Sequence, residues 1–125
     1  GMLAGLQLPE KLPSWVSQED LKFYGNQFRE SGFRGPLNWY RNIDRNWKLS
    51  GVYLEQKITQ PTLFIAGEHD VVVAGFGKAG YDHLEENVPN LRKKLLIPGK
   101  GHWIQQESPD EVNRLVLEFL KSVSH

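Results

Sequence analysis

A histidine that follows a glycine turn at the end of a short apolar run is a candidate for acid–base chemistry, and this chain has one at His102. The run Leu95-Leu96-Ile97 ends at Pro98 and leads through Gly99-Lys100-Gly101 into His102-Trp103. It is too short for a helix and suits a buried parallel strand, while the two glycines permit a sharp turn that presents the next side chains at the strand's carboxyl end. Open α/β sheets carry their chemistry at that end. A neutral imidazole placed there can act as a general base, because its unperturbed pKa of about 6.5 lies near working pH. It needs a carboxylate to orient it.

Asp70 is the candidate. It closes a second apolar run, Pro61-Thr62-Leu63-Phe64-Ile65-Ala66-Gly67-Glu68-His69-Asp70, and the stretch between the two runs, Lys78 to Val88, reads as a helix. Strand, acid, helix, strand, histidine is the order of one βαβ unit of roughly thirty residues. The strands of such a unit are parallel, so both turns fall on the same edge of the sheet. For either residue by itself a plainer reading is the commoner one, His102 as a turn residue and Asp70 as a cap. Their paired placement favours the dyad.

The elements around this pair follow from local signals. Residues 1 to 18 carry Pro9 and Pro13 and read as an extended segment in which Leu3, Leu6 and Leu8 lie against a neighbouring surface. Ser17 is an N-cap with Asp20 three residues on, a weakened capping box, and Leu21, Tyr24 and Phe28 recur at helical spacing before Ser31-Gly32 stops the helix. Gly35-Pro36 opens a second helix whose apolar face runs through Leu37, Tyr40, Ile43 and Trp47. Core packing is the better reading of Ile43 and Trp47, while Trp39 and Tyr40 stay open. Gly51 to Gln60 is loosely patterned. Thr62 to Ala66 and Leu91 to Ile97 are the strands, Val71-Val72-Val73 packs under a loop, and Leu84 and Val88 face the sheet. Ser108-Pro109-Asp110-Glu111 starts a last helix, with Ser108 as N-cap and Glu111 completing a capping box; Val112, Leu115, Val116, Phe119 and Leu120 are its buried face.

Composition excludes several classes. With 125 residues, 39% of them hydrophobic and 24% charged, the chain supports one core and is not a disordered tail. Formal net charge is zero, so neither nucleic acid nor an anionic membrane is an expected partner. There is no cysteine, which rules out a disulfide framework and thiolate metal sites and fits the cytoplasm. No apolar run approaches the roughly 18 residues of a membrane span. Gly75-Phe76-Gly77-Lys78-Ala79-Gly80 matches a dinucleotide fingerprint in form, but Asp70 and three valines separate it from the strand it should follow. No cofactor and no metal are expected. Gly1 before Met2 looks like a cloning scar, leaving Met2 as either a native start or an internal methionine.

With both motifs placed, the chain resembles the C-terminal part of an α/β-hydrolase, and within that fold the soluble epoxide hydrolases. The stretch Gly32-Phe33-Arg34-Gly35-Pro36-Leu37-Asn38-Trp39-Tyr40-Arg41-Asn42 is similar to their cap segment, and Gly101-His102-Trp103 to the setting of their catalytic histidine. The resemblance implies a partial α/β-hydrolase fold: a short parallel sheet with flanking helices in residues 51–125, and a cap-derived helical segment in residues 1–50. It implies that Tyr40 is the acid that hydrogen-bonds the epoxide oxygen, that Asp70 orients His102, that His102 activates the hydrolytic water, and that Trp103 and Trp39 line the pocket of a small apolar epoxide. A second cap tyrosine is expected further upstream, with Tyr24 a candidate.

No Gly-x-nucleophile-x-Gly elbow with Asp, Ser or Cys at its centre occurs in the 125 residues, and no His-Gly-x-Pro oxyanion loop. The isolated chain is therefore expected not to turn over an epoxide. A haloalkane or ester hydrolase is the enzymatic alternative, and a module that holds an apolar ligand or a protein the non-enzymatic one. An unprotected Thr62 to Ala66 edge and uncovered cap aromatics also lead us to expect a homodimer, by edge pairing or by cap exchange.

Overall fold

The structure, a computed structural model, describes residues 9–124, so the packing expected of Leu3, Leu6 and Leu8 lies outside the described residues. The chain divides between Val52 and Tyr53 into two compact units.

In the first unit, α1 (Gln18–Ser31) starts at Ser17, whose Oγ accepts from the Asp20 amide at 3.1 Å while Asp20 Oδ2 accepts from the Ser17 amide at 2.8 Å. This reciprocal box satisfies two donors that the first helical turn leaves orphaned. Gly32, at φ 65°, ends the helix in a backbone region that side chains with a Cβ avoid. Phe28 and Phe33 then stack across the turn, with ring centroids 4.6 Å apart.

The single helix expected from Gly35-Pro36 through Trp47 is instead two, α2 (Arg34–Arg41) and α3 (Ile43–Leu49), broken at Asn42, which has φ −97° and ψ 4°. Asn42 carries its own reason for the break, because its side-chain amide donates to the Asn38 carbonyl at 2.7 Å and competes with the helical ladder. The core role expected of Ile43 and Trp47 is not met: they are 56% and 70% exposed. No residue of α1, α2 or α3 is buried, and of the apolar faces that periodicity reveals only Phe28, stacked on Phe33, is partly covered. A turn of 3-10 helix at Ser50–Tyr53 follows.

The second unit is built on two parallel strands, β1 (Thr62–Gly67) and β2 (Leu91–Ile97), in register so that Gly67 lies opposite Ile97. Their carboxyl ends therefore finish level, and the turns after both emerge side by side. Between them the chain makes a π-helical turn at Val72–Phe76 and two short helices, α4 (Lys78–Asp82) and α5 (Leu84–Asn87). This corrects two expectations. The crossover helix is interrupted at His83, and Val71 and Val72 are 71% and 48% exposed instead of packed under a loop. Lys94 on β2 ties the crossover to the sheet by pairing with Glu85 at 2.9 Å and lying over the Tyr81 ring at 4.4 Å.

After β2 come α6 (Ile104–Glu107) and α7 (Pro109–Val123). Pro109 sits in the first turn of α7, as expected, but the Ser108 side chain makes no capping bond. The Ser108 amide donates to the Ile104 carbonyl at 2.9 Å, and its backbone is held by α6 in place of the expected box. The core is Ile97, Ile104, Val112 and Leu115, with Ile65, Leu95 and Val116 packed against it. Val112 and Leu115 are on the predicted face of α7, while Leu120 at its far end is 49% exposed. Burying Leu115 or Ile97, each 1% exposed, contributes about 2–3 kcal/mol. This packing holds α7 under the sheet and fixes the strand ends that carry the candidate site. No helix among the described residues is long and apolar enough to cross a membrane.

Candidate functional site

The turns after β1 and β2 are locked to each other before any catalytic side chain is considered. The Glu68 amide donates to the Ile97 carbonyl at 3.0 Å and the His69 amide to the Lys100 carbonyl at 2.7 Å. The Glu68 carboxylate in return accepts from the Gly99 amide at 2.9 Å. Gly67 makes this closeness possible: a Cβ there would collide with the backbone of Lys100 and Gly101. Gly99, at φ 66°, reverses the second turn.

Asp70 is 6% exposed and fully partnered. Its Oδ1 accepts from the Val72 amide at 2.8 Å, an Asx-type turn that leads into the π-helical segment, and its Oδ2 lies 3.0 Å from His102 Nδ1. Burial opposes the charge of this carboxylate, but the hydrogen bond from His102, the Val72 amide, the positive charge His102 can carry and the Val73 amide together hold its pKa below the ordinary value. Asp70 is thus an acceptor at neutral pH. His102 Nδ1 then carries the proton it donates, and the lone pair of the neutral ring resides on Nε2. The His102 side chain is 48% exposed against 8% for Asp70. One face of the pair is anchored and the other is open to a reacting molecule, as a general base requires. Trp103 stands beside it, edge to face with the imidazole at 5.1 Å and 54% exposed.

The structure thus brings together Asp70, His102 and Trp103. Tyr40 and Trp39 are on α2 in the first unit, 66% and 75% exposed. Sequence reasoning missed two acids of the second unit, Glu68 and Glu107. Glu107 Oε2 accepts from the Gly101 amide at 2.7 Å and its Oε1 from the Trp103 amide at 3.0 Å. The available signal was an acid within about one helical turn of a glycine-flanked histidine, near enough to reach the amides of that turn. Among the described residues no group of three or more His, Cys, Asp or Glu side chains could hold a metal ion.

No protein-family profile matches the chain. Individual proteins do. Epoxide hydrolase B of Mycobacterium tuberculosis is 44% identical over 112 residues, which is 90% of this chain and 31% of that protein. Epoxide hydrolase A of the same organism is 44% identical over 120 residues, 96% of this chain and 36% of that protein. Bifunctional epoxide hydrolase 2 of Sus scrofa is 39% identical over 98% of this chain and 21% of its own length. Among solved structures, a Vigna radiata epoxide hydrolase mutant superposes with a TM-score of 0.84 at 38% identity, covering 91% of this chain and 37% of that one. Epoxide Hydrolase A from Mycobacterium thermoresistibile does so with a TM-score of 0.81 at 42% identity, covering 90% and 34%. The chain spans about a third of the length of the first two relatives and a fifth of the third. A parallel βαβ core with an acid and a histidine at its strand ends, matched over nine-tenths of the chain by these proteins, makes this chain part of an α/β-hydrolase, one that resembles the epoxide hydrolases.

Proposed function

We propose that this chain carries the hydrolytic half of an epoxide hydrolase. A carboxylate opens an epoxide by attacking carbon while an acid stabilises the forming alkoxide, and the resulting alkyl ester is cleaved by an activated water. In the second step His102 Nε2 takes a proton from water as its oxygen adds to the ester carbonyl. The ester C–O bond then breaks, and the departing alkoxide recovers a proton to give the diol. Asp70 keeps Nδ1 protonated and stabilises the imidazolium that forms. Tyr40, a neutral phenol able to donate a hydrogen bond, is the acid of the first step, and Trp103 and Trp39 contact the apolar part of the substrate. Residues 1–50 serve as the cap-derived segment and 51–125 as the C-terminal part of the core, in a cytoplasmic setting. The attacking carboxylate is not among this chain's candidates, since no nucleophile elbow occurs in the sequence.

The observation that carries this reading is the 3.0 Å contact between buried Asp70 and half-exposed His102, in a chain 44% identical to epoxide hydrolases. Purified alone, the chain should form no diol from styrene oxide. Grafted in place of the corresponding segment of Epoxide hydrolase B, it should support turnover that His102→Gln reduces by several orders of magnitude. An active isolated chain whose activity needs Tyr40 and His102 would mean that the chain carries its own nucleophile, and would refute this reading. A folded but inactive graft would leave the alternative of a binding module.

One observation favours an assembly. Among the described residues β1 pairs only with β2, so its other edge is unpaired, and Phe23, Tyr24, Trp39 and Trp47 are exposed on the first unit. A free apolar edge and uncovered aromatics are surfaces that associate. The isolated chain is accordingly a homodimer, by β1 edge pairing or cap exchange. Light scattering after size exclusion at micromolar concentration tests this, and a monomer refutes it.

A further inference from the structure

The backbone amides of the two residues that flank His102 are fastened by one side chain. The amides of Gly101 and Trp103, immediately before and after the histidine, donate to the two oxygens of Glu107 at 2.7 and 3.0 Å. The carboxylate also packs directly on the turn, since a Cβ on Gly101 would stand 3.1 Å from Glu107 Oε1. The Trp103 carbonyl is held as well, accepting from the Gln106 and Glu107 amides at 2.9 and 2.8 Å. Glu107 therefore closes a ring of bonds from α6 back across His102. By contrast, the described polar contact of the imidazole itself is Asp70 alone, and nearly half of its surface is open. One hydrogen bond to a carboxylate orients a ring only if the backbone beneath it is already in place, because fixing a loose residue costs about 1–2 kcal/mol in conformational entropy.

We propose, resting on the reading of His102 as base and Asp70 as its orienter, that Glu107 is a positioning residue for His102: by accepting from both flanking amides it holds the histidine backbone where Nδ1 meets Asp70 and Nε2 is left free. It touches no reacting atom. Its carboxylate is matched to the task in a way other side chains are not. Two oxygens accept two convergent N–H groups, and the negative charge strengthens both bonds. A glutamine offers one oxygen to the same pair and turns donors toward the other amide.

The test is 15N NMR of the imidazole rings in the purified chain at pH 8, with the His102 signals assigned by their absence in His102→Gln. The wild-type ring should be in the Nδ1–H form, and Asp70→Ala should abolish that preference. Glu107→Ala should transfer much of the population to the Nε2–H form and speed Nδ1–H exchange with solvent about tenfold or more, the equilibrium weight of a lost charge-assisted hydrogen bond. Glu107→Gln should fall between, and it carries the test if Glu107→Ala does not fold. The proposal is overturned if the Glu107 variants lower the melting temperature yet leave tautomer and exchange at wild-type values while Asp70→Ala changes them; the dyad then survives and Glu107 is merely structural. If Asp70→Ala also leaves the ring unchanged, the pairing of His102 with Asp70 fails, and both readings fall with it.

Discussion

Gly67→Ala is the smallest change that should separate the two turns of the candidate site. Gly67 is buried at the end of β1, and a Cβ built on it would lie 2.6 Å from the Lys100 carbonyl carbon, with the carbonyl oxygens of Lys100 and Gly101 nearer still. All three are backbone atoms, so no side-chain rotation relieves the clash. Either β1 or the Lys100-Gly101 turn must move by about an ångström, which strains the His69 amide bond to the Lys100 carbonyl and the Glu68 bond to the Gly99 amide. Overpacking of this kind costs about 1–3 kcal/mol. For a unit of this size each kcal/mol corresponds to roughly 4–8 °C in melting temperature, so a fall of about 5–20 °C is expected. The control is Gly80→Ala on α4, where a Cβ meets nothing within 4 Å and removing a mid-helix glycine should stabilise by about 0.5–1 kcal/mol. Thermal unfolding followed by far-UV circular dichroism measures both. The reasoning is refuted if Gly67→Ala melts with the wild type, because the second turn would then not rest on Gly67.

Leu115→Ala empties the centre of the core that α7 makes with the sheet, where Leu115 is 1% exposed, and should cost about 2–5 kcal/mol in urea unfolding. The pH dependence of stability should carry the mark of Asp70. Its folded pKa is depressed, so its contribution is complete above the ordinary carboxylate value of about 3.9 and disappears as pH falls through the lower folded value. Urea midpoints measured from pH 7 down to pH 2.5 should therefore drop more steeply for the wild type than for Asp70→Asn, and parallel curves would contradict the assignment.

Much of this was legible in the sequence because it is written in short-range signals. The span of β1 follows from an apolar run bounded by proline and glycine, the end of β2 from Leu95-Leu96-Ile97 before Pro98, and the Ser17 box needs only residues three apart. The meeting of Asp70 with His102 follows from the parallel pairing of neighbouring strands in a βαβ unit, a rule of topology that holds whatever the side chains are. Other features depend on which surfaces face each other, and periodicity is blind to that. The stripe through Ile43 and Trp47 has helical spacing whether or not anything covers it, so only the structure reveals that it is exposed and that Asn42 breaks the helix beneath it. The interruption at His83 and the bare Val71 and Val72 are of the same kind. Glu68 and Gly67 acquire their roles from backbone groups 31 to 34 residues away, brought near by the level ends of two strands, and Glu107 acquires its role from amides 4 and 6 residues away that the turn before α6 aims at it. Sequence alone determined which residues could do the chemistry and on which edge of the sheet they would stand. The tertiary structure decided what holds them there, because a carboxylate becomes a brace only when the fold turns unpaired amides toward it.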